Sequence, residues 1–577
     1  GSTPLTQVSF NADHIIVQDV STTGEQGYTA NLGVTLNGDL LSTTAGEIAV
    51  IGNTTLAGAA RSITTTSGDI TLGGTVDGPS ALTLTASGGG VDVTGNAGDT
   101  TALTSLAATG TTVRISGVET TGAQTYTGAS GVTIGGDLVA SSGAIAINGN
   151  ASLSGAARLV QSGGQNISFS GTINSQIAGT GTALTLNAGA GNVSVTGAAG
   201  GSTILGGLDA TGTSISVAGV NTTGAQTYTG NTSTSGDLTS TGSGAIGVTG
   251  NLTLSGPSRT ISSQIGPISV TGTTNGATAL TLHANQGDVT LSGAAGGVTP
   301  LTSLAIFGQN VNINAVTTSG AQGYTGTTGV TLNGDLVSSG PGAIGVVGPA
   351  TLAAPSINVT TAGNAGDDVV FDGTVNGASN LSIGAGVADV TINGVAGGTT
   401  RLQSLAVIGN TTSAGANTTG AQSFTGNLRL NGDLTTLGGA IGVSGATTLA
   451  GTTSNISSSG GAVTLHAVNG NTADANSLVV DAGAGGVAFD AVGATTRLGA
   501  LNVTGSSINA ASLHAAGAIT LAGPTTVTGD VGGGSLSSSG ATTVGGGVTT
   551  VGDQSYNGNT SVTGNVVGGA VSVAGTA

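Results

Sequence analysis

The chain contains no cysteine, methionine, tryptophan or lysine, and only 6% of its 577 residues are charged. Without cysteine, neither a disulfide framework nor a thiolate metal site can form. Aromatic residues make up only 2% of the chain, so any hydrophobic core must be thin and aliphatic. No apolar run reaches the ~18 residues of a membrane-spanning helix, so membrane insertion is not expected.

Positive charge is also scarce. The seven basic residues, all arginine, face 25 acidic residues, and the formal net charge is −18. Such a surface repels phosphate backbones, so we do not expect nucleic acid as a partner.

Glycine is abundant, with 110 residues, or roughly 19% against an average of ~7%. A glycine-rich chain with few charges could be disordered. However, 37% of the residues are hydrophobic and the mean hydropathy is +0.32. Because disorder requires low hydrophobicity, the composition favours a folded protein with a core of Val, Ile, Leu and Ala.

A block of about 100 residues recurs, and each copy is marked by a segment such as TTGAQTY, which ends in an aromatic residue. The first five markers are 98, 102, 96 and 100 residues apart, and they and a weaker sixth end at Tyr28, Tyr126, Tyr228, Tyr324, Phe424 and Tyr556. We divide residues 1–577 into approximate repeats at 22–119, 120–221, 222–317, 318–417 and an extended 418–549, with partial repeats at 1–21 and 550–577. Both ends lie inside a repeat, so we expect one continuous repeat rod that is a fragment of a longer chain.

Within each repeat, Val, Ile and Thr alternate over three to five residues, and Gly, Asn-Gly or Ser-Gly follows every 6–10 residues. This pattern predicts short β-strands joined by turns, and no segment shows a helical period. The fold class we predict is all-β, a parallel β-helix (β-solenoid) with about five coils per repeat, roughly 24 Å of axis. Tandem immunoglobulin-like domains are the structural alternative, but they need a wider core.

An aspartate recurs about 11 residues after each marker, in turns such as Asn37-Gly38-Asp39. Copies roughly 24 Å apart along a solenoid cannot form one acid–base site. We therefore interpret these residues as structural turns in which the carboxylate accepts backbone amides: Asp39, Asp137, Asp237, Asp335 and Asp433. The four histidines are isolated in the sequence, and we predict no catalytic residue, no metal site and no cofactor.

The recurring aromatic residue has two interpretations. Five copies are Tyr and one is Phe424, so a role that needs the hydroxyl would not survive the change. Packing at a coil corner is the favoured interpretation. The alternative is a solvent-facing ring that stacks on a sugar, which would make Tyr28, Tyr126, Tyr228, Tyr324, Phe424 and Tyr556 glycan contacts.

The pattern TTGAQTYTG…NGDL…ALTLNAGAGNVSVTGAAGG, with no cysteine and very few aromatic residues, resembles the stalk repeats of filamentous haemagglutinin-like adhesins. These are large exoproteins of Gram-negative bacteria that are secreted by the two-partner route. The resemblance implies a right-handed parallel β-helix, an outer-membrane secretion partner, and a location at the cell surface or in the extracellular matrix. It also implies adhesion to host cells, other bacteria or biofilm.

The sequence therefore predicts a non-enzymatic structural and adhesive stalk that projects a binding tip and makes weak multivalent contacts with glycans, polysaccharide or cell-surface proteins. Two alternatives stay open. One is self-association into a matrix or sheath filament. The other is a polysaccharide-processing β-helix enzyme.

Overall fold

The computed structural model describes residues 4–576, which form 69 β-strands and no helix. Contacts group the chain into two compact units, Gly1–Gly293 and Ala294–Ala577. Each unit is a parallel β-solenoid, which confirms the predicted fold class. Among residues 4–576, no helix is long and apolar enough to cross a membrane.

Each coil has three sides. In the first unit the strand Gln26–Leu36 bends at a corner and pairs with both Ile48–Ile51 and Thr54–Leu56 of the next coil, while Leu40–Ser42 pairs with Ala60–Thr65. We call the stacks that contain Gln26, Val34 and Leu40 sides A, B and C. The following coil repeats the arrangement with Ile70–Leu72, Val76–Asp77 and Ala81–Ala86.

The core of each coil is made by alternation along these short strands. Ile70 and Leu72 are buried and Thr71 between them is turned outward, as the two-residue period of a strand requires. Most inward positions hold Val, Ile, Leu or Ala, and the largest buried side chains are the marker tyrosines and a few phenylalanines. The thin aliphatic core expected from the composition is therefore what fills each unit.

Glycine stacks at the corners because consecutive coils approach closely there. A Cβ atom added to Gly46 would lie 2.0 Å from the carbonyl carbon of Gly24 on the previous coil, and one added to Gly68 would lie 2.2 Å from the oxygen of Gly46. No side chain fits at such distances. This contact explains much of the high glycine content.

The sequence repeat is not a whole number of coils. Along side A the pairing runs Gln26, Ile48, Ile70, Val91, Val113, which is four coils. Two more strands, Val118–Thr120 and the beginning of Gln124–Ile134, lead to Gln124 in the next marker. The repeat thus spans four and two-thirds coils, close to the five expected, and each marker lies on a different side from the one before.

In the first unit Tyr28 is on side A, Tyr126 on side C and Tyr228 on side B. The second unit follows the same rule. Tyr324 stacks in register with Val346, Phe371, Ile392 and Ser413 on the four following coils, and Phe424 lies two strands after Ser413.

The extended repeat 418–549 has a simple structural origin. From Gln422 the pairing runs through Ile441, Val463, Val487, Ile508, Thr525 and Thr542, which is six coils, and two further strands reach Gln554. Two additional coils are therefore present, and the fractional two-thirds turn is kept. The last of these coils are short, with only 17 residues between Ile508 and Thr525.

Candidate functional site

The six marker rings are buried in the core of their coils. Their exposed fraction is at most 2%, at Tyr556, and Tyr28, Tyr126 and Tyr228 have none. A sugar cannot stack on a ring that solvent does not reach. The structure thus corrects the glycan-contact hypothesis for Tyr28, Tyr126, Tyr228, Tyr324, Phe424 and Tyr556, all of which lie where the packing interpretation places them.

The tyrosine hydroxyl has a partner that the sequence analysis missed. Each hydroxyl donates to the Oε1 atom of the glutamine two residues earlier, at 2.7–3.0 Å. Residues two apart on a strand face the same way, so this glutamine is also buried. We call the Thr, Gln and aromatic residues of one marker the corner clamp. Its six copies are Thr22/Gln26/Tyr28, Thr120/Gln124/Tyr126, Thr222/Gln226/Tyr228, Thr318/Gln322/Tyr324, Thr418/Gln422/Phe424 and Thr550/Gln554/Tyr556.

The glutamine of the clamp joins two coils. In the second copy, Gln124 Nε2 donates to Thr120 Oγ1 at 3.2 Å and to the Val139 carbonyl oxygen, on the following coil, at 2.8 Å. The Thr120 hydroxyl in turn donates to the Gly122 carbonyl oxygen at 2.6 Å, which closes the turn. All six glutamines donate to a carbonyl of the following coil. The clamp therefore satisfies buried polar groups and fixes the stacking of the corner.

The Phe424 copy shows what the hydroxyl contributes. Gln422 keeps its donor bonds to Thr418 and to the Thr435 carbonyl oxygen, but its Oε1 atom is buried without a hydrogen-bond partner. The inference that Phe424 rules out a role for the hydroxyl is therefore wrong. Five copies use the hydroxyl, and the sixth leaves an acceptor unsatisfied.

Restoring this hydroxyl tests the clamp. We expect Phe424→Tyr to raise the local free energy of unfolding by about 1 kcal/mol, because a buried acceptor gains a donor. Hydrogen exchange of peptides that cover 416–443 measures the change. Phe169→Tyr is the matched control, since that buried ring has no such glutamine and the added hydroxyl should destabilise. Equal effects of the two substitutions would contradict the proposed bond.

Burial also controls the ionisation of the clamp tyrosines. It raises the pKa of Tyr28 from 10.0 to about 12 and raises the pKa of Tyr126, Tyr228 and Tyr324 well above the ordinary value. The folded protein thus prefers the neutral phenol.

The resulting pH dependence follows from the sign of these shifts. Since the folded pKa values are raised, their contribution to stability is complete below pH 10, the unfolded value, and for Tyr28 is lost as the pH rises through about 12. We expect the phenolate absorbance of the native protein to appear only above the pH at which the denatured protein ionises. Coincident titration curves in buffer and in denaturant would contradict this expectation.

The recurring aspartates connect neighbouring coils. Asp39 Oδ1 accepts the Ser62 backbone amide at 2.9 Å, and Asp137 Oδ1 accepts that of Leu159 at 2.9 Å. Asp237, Asp335 and Asp433 accept amides of Thr260, Asn358 and Asn455 at 2.7–2.9 Å. Each donating amide belongs to the following coil, 22 or 23 residues later, and not to the aspartate's own turn.

The side-chain oxygen acts as the hydrogen-bond acceptor for the backbone amide, and this role does not need the negative charge of aspartate. At other corners asparagine accepts the same kind of amide, as Asn150 does from Thr172. We therefore expect Asp137→Asn to leave stability nearly unchanged and Asp137→Ala to cost about 1 kcal/mol, because the Leu159 amide loses its acceptor. Hydrogen exchange at Leu159 measures both variants. A large loss in Asp137→Asn would instead point to a role for the charge.

Asp367 is a buried carboxylate that also accepts backbone amides, and the sequence analysis missed it. It is 3% exposed, and it accepts the backbone amides of Asn364 at 3.0 Å and Gly342 at 2.8 Å and the Asn364 side-chain amide at 3.0 Å. These hydrogen bonds, first that from the Asn364 backbone, hold the pKa of Asp367 below its usual range. A carboxylate with all of these donors serves as a corner support.

The outer surface carries few groups that converge. His466 Nδ1 lies 2.7 Å from Asp490 Oδ2, and Arg497 makes two bonds to Asp474 at 2.7 and 2.8 Å, but all four side chains are exposed. An open groove on the first unit is lined by residues that include Asp99, Glu119, Asp137 and Arg158. Within the described part of the chain, no three His, Asp or Glu side chains come together to hold a metal ion.

Comparison with known proteins does not identify a family for this chain. Models of protein families, curated proteins and solved structures give no match to this chain.

Proposed function

We propose that this chain is the structural and adhesive stalk of a large secreted bacterial surface or biofilm-matrix adhesin. The observation that carries the proposal is the corner clamp. The most regular sequence feature of the chain is this buried clamp, which fixes how neighbouring coils stack at the corner where it lies. The outward positions take no part in it and are free to vary. Such a design suits a protein whose task is to span distance while it presents a surface.

The energetics of the coils support a mechanical role. Within the first unit, neighbouring coils are tied together by parallel backbone ladders on three sides, and glutamine bonds at the clamps and Asx side chains at corners add further ties. In such an array stability is a sum of nearest-neighbour terms. Lengthening the stalk then adds reach without a new folding problem. The outer-membrane secretion partner and the extracellular location belong to the same proposal through the resemblance to filamentous haemagglutinin-like adhesins.

Force spectroscopy combined with adhesion tests this function. Beads that carry the chain through one terminus should bind cells or glycan-coated surfaces at low affinity per molecule, with binding that rises steeply with surface density. The chain pulled between its termini should extend in many small steps of about one coil. Absence of adhesion at any density would reject the adhesive part. A sedimentation coefficient that rises with protein concentration would favour the filament alternative. Turnover of a glycan would favour the enzyme alternative.

A further inference from the structure

We infer that the coils of the second unit that follow the Phe424 marker, residues 422–458, form a built-in opening segment, which unfolds locally while the neighbouring coils of that unit stay folded. We call these residues the Phe424 coils. The local opening follows from the packing of the coils, and its use as a yield point within a stalk rests on the proposed function. Its origin is a concentration of buried polar atoms that have no hydrogen-bond partner.

These unpartnered atoms are unevenly distributed along the chain. Within residues 4–576, four side chains that are at most 1% exposed contain such an atom: Thr274, Gln422, Thr447 and Ser454. Three of the four lie in the Phe424 coils, in three different stacks of strands. Local opening gives each of these atoms access to water, so each one favours the open state by about fivefold or more.

The preceding repeat of the same unit provides an internal comparison. Its residues 322–360, which we call the Tyr324 coils, pair in the same way as the Phe424 coils, and the equivalent positions are Gln322 and Gln422, Ala350 and Thr447, and Ile357 and Ser454. Gln322 Oε1 accepts the Tyr324 hydroxyl at 2.7 Å. Ala350 and Ile357 are buried and have no polar side-chain atom. The nearest unpartnered hydroxyl, that of Thr361, lies just beyond the Tyr324 coils.

The backbone also differs between the two sets of coils. In the Tyr324 coils a single strand, Gln322–Leu332, continues around the corner. In the Phe424 coils the equivalent segment is divided into Gln422–Thr425 and Leu428–Leu430. The interruption leaves less backbone ladder to oppose opening. Because the stability of a solenoid is a sum of nearest-neighbour terms, these losses lower the stability of the Phe424 coils and not that of distant coils.

Arg429 makes the opening measurable by proteolysis. The bond between Arg429 and Leu430 lies within a strand, and Leu430 is 0% exposed. Trypsin therefore reaches this bond only after the strand has left the sheet. Since cleavage of a transiently open state follows the population of that state, the rate of cleavage after Arg429 reports how often the Phe424 coils open.

Hydrogen exchange of the full chain tests the inference. We expect protection factors in the Phe424 coils to be at least about 30-fold lower than in the Tyr324 coils, because three unpartnered groups each contribute about fivefold. The repaired variant Phe424→Tyr/Thr447→Val/Ser454→Ala gives Gln422 a donor and removes the two unpartnered hydroxyls. It should slow both exchange in the Phe424 coils and trypsin cleavage after Arg429 by at least about tenfold. Exchange in the Tyr324 coils should stay within about twofold.

A reverse variant keeps the test decisive if the repair disturbs the packing. Tyr324→Phe/Ala350→Thr creates two unpartnered groups in the Tyr324 coils and should speed exchange there by at least about tenfold, with little change in the Phe424 coils. Equal protection of the two sets of coils in the unmodified chain would overturn the inference, as would unchanged exchange in both variants. These measurements use no glycan or cell, so their outcome is independent of whether the chain is adhesive.

Discussion

Replacing Gln124 with leucine is expected to lower the local free energy of unfolding by about 3 to 5 kcal/mol, the largest loss from any single side-chain contact of the corner clamp. The substitution removes the acceptor of the Tyr126 hydroxyl and the donors to Thr120 and to the Val139 carbonyl oxygen. The bonds to Thr120 and Tyr126 are buried and the bond to the Val139 carbonyl oxygen is partly buried. Water therefore replaces few of the lost bonds, and each unsatisfied buried group costs about 1–3 kcal/mol. Leucine keeps most of the volume, so little of the loss comes from a cavity.

The chain supplies its own control for this prediction. Gln422→Leu removes the same donors, but Phe424 has no hydroxyl to lose its acceptor, and Oε1 of Gln422 is already unpartnered. We expect it to cost about 1–2 kcal/mol less than Gln124→Leu. Because coils unfold locally and not in one two-state step, hydrogen exchange of peptides at each marker is the suitable measurement. Equal costs at the two sites would show that the tyrosine hydroxyl contributes nothing.

The clamp also shows where sequence reasoning stopped short. The residue between glutamine and tyrosine varies among the copies, as Gly27, Thr125, Thr227, Gly323, Ser423 and Ser555, while the glutamine itself is present in all six. On a strand this contrast means that glutamine and the aromatic residue share the inner face. The signal for a buried Gln–Tyr pair was therefore present. Phe424 hides this signal, because its copy lacks the hydroxyl and leaves Gln422 Oε1 without a partner.

The fold itself could be predicted because its physics is local. Alternation such as Ile70-Thr71-Leu72 determines which side chains face inward, and glycine punctuation marks the corners. The fractional repeat could not be predicted in this way. Coil lengths vary, from 17 residues between Ile508 and Thr525 to 26 between Ile167 and Val193, since corners accept insertions without disturbing the ladders. Only the pairing register shows that a marker returns on another side.

The variable coil length and the constant two-thirds turn together suggest what the repeat preserves. The interval between Phe424 and Tyr556 contains two additional coils, yet the marker again advances by two sides. A corner clamp requires a strand end, a tight turn and a new strand, and any side of the coil offers this geometry. Insertions of whole coils are therefore compatible with the clamp, because each inserted coil brings its own ladders and leaves the flanking corners intact.

Gly143→Ala is expected to cost about 3 kcal/mol or more and to separate two coils at one corner. An added Cβ would lie 2.0 Å from the carbonyl carbon of Gly122 and 2.2 Å from the amide nitrogen of Ala123, and both of these atoms belong to the backbone of the preceding coil. Neither can rotate away as a side chain could, so the coils must move apart and weaken the flanking ladders. Gly442→Ala is the control, since nothing lies within 4 Å of its added Cβ and the strand should gain slightly from a side chain. Faster hydrogen exchange at residues 120–147 in Gly143→Ala, without such a change around Gly442 in the control, is the expected result. If the two variants exchange alike, backbone contact at the glycine corners does not determine how closely the coils stack.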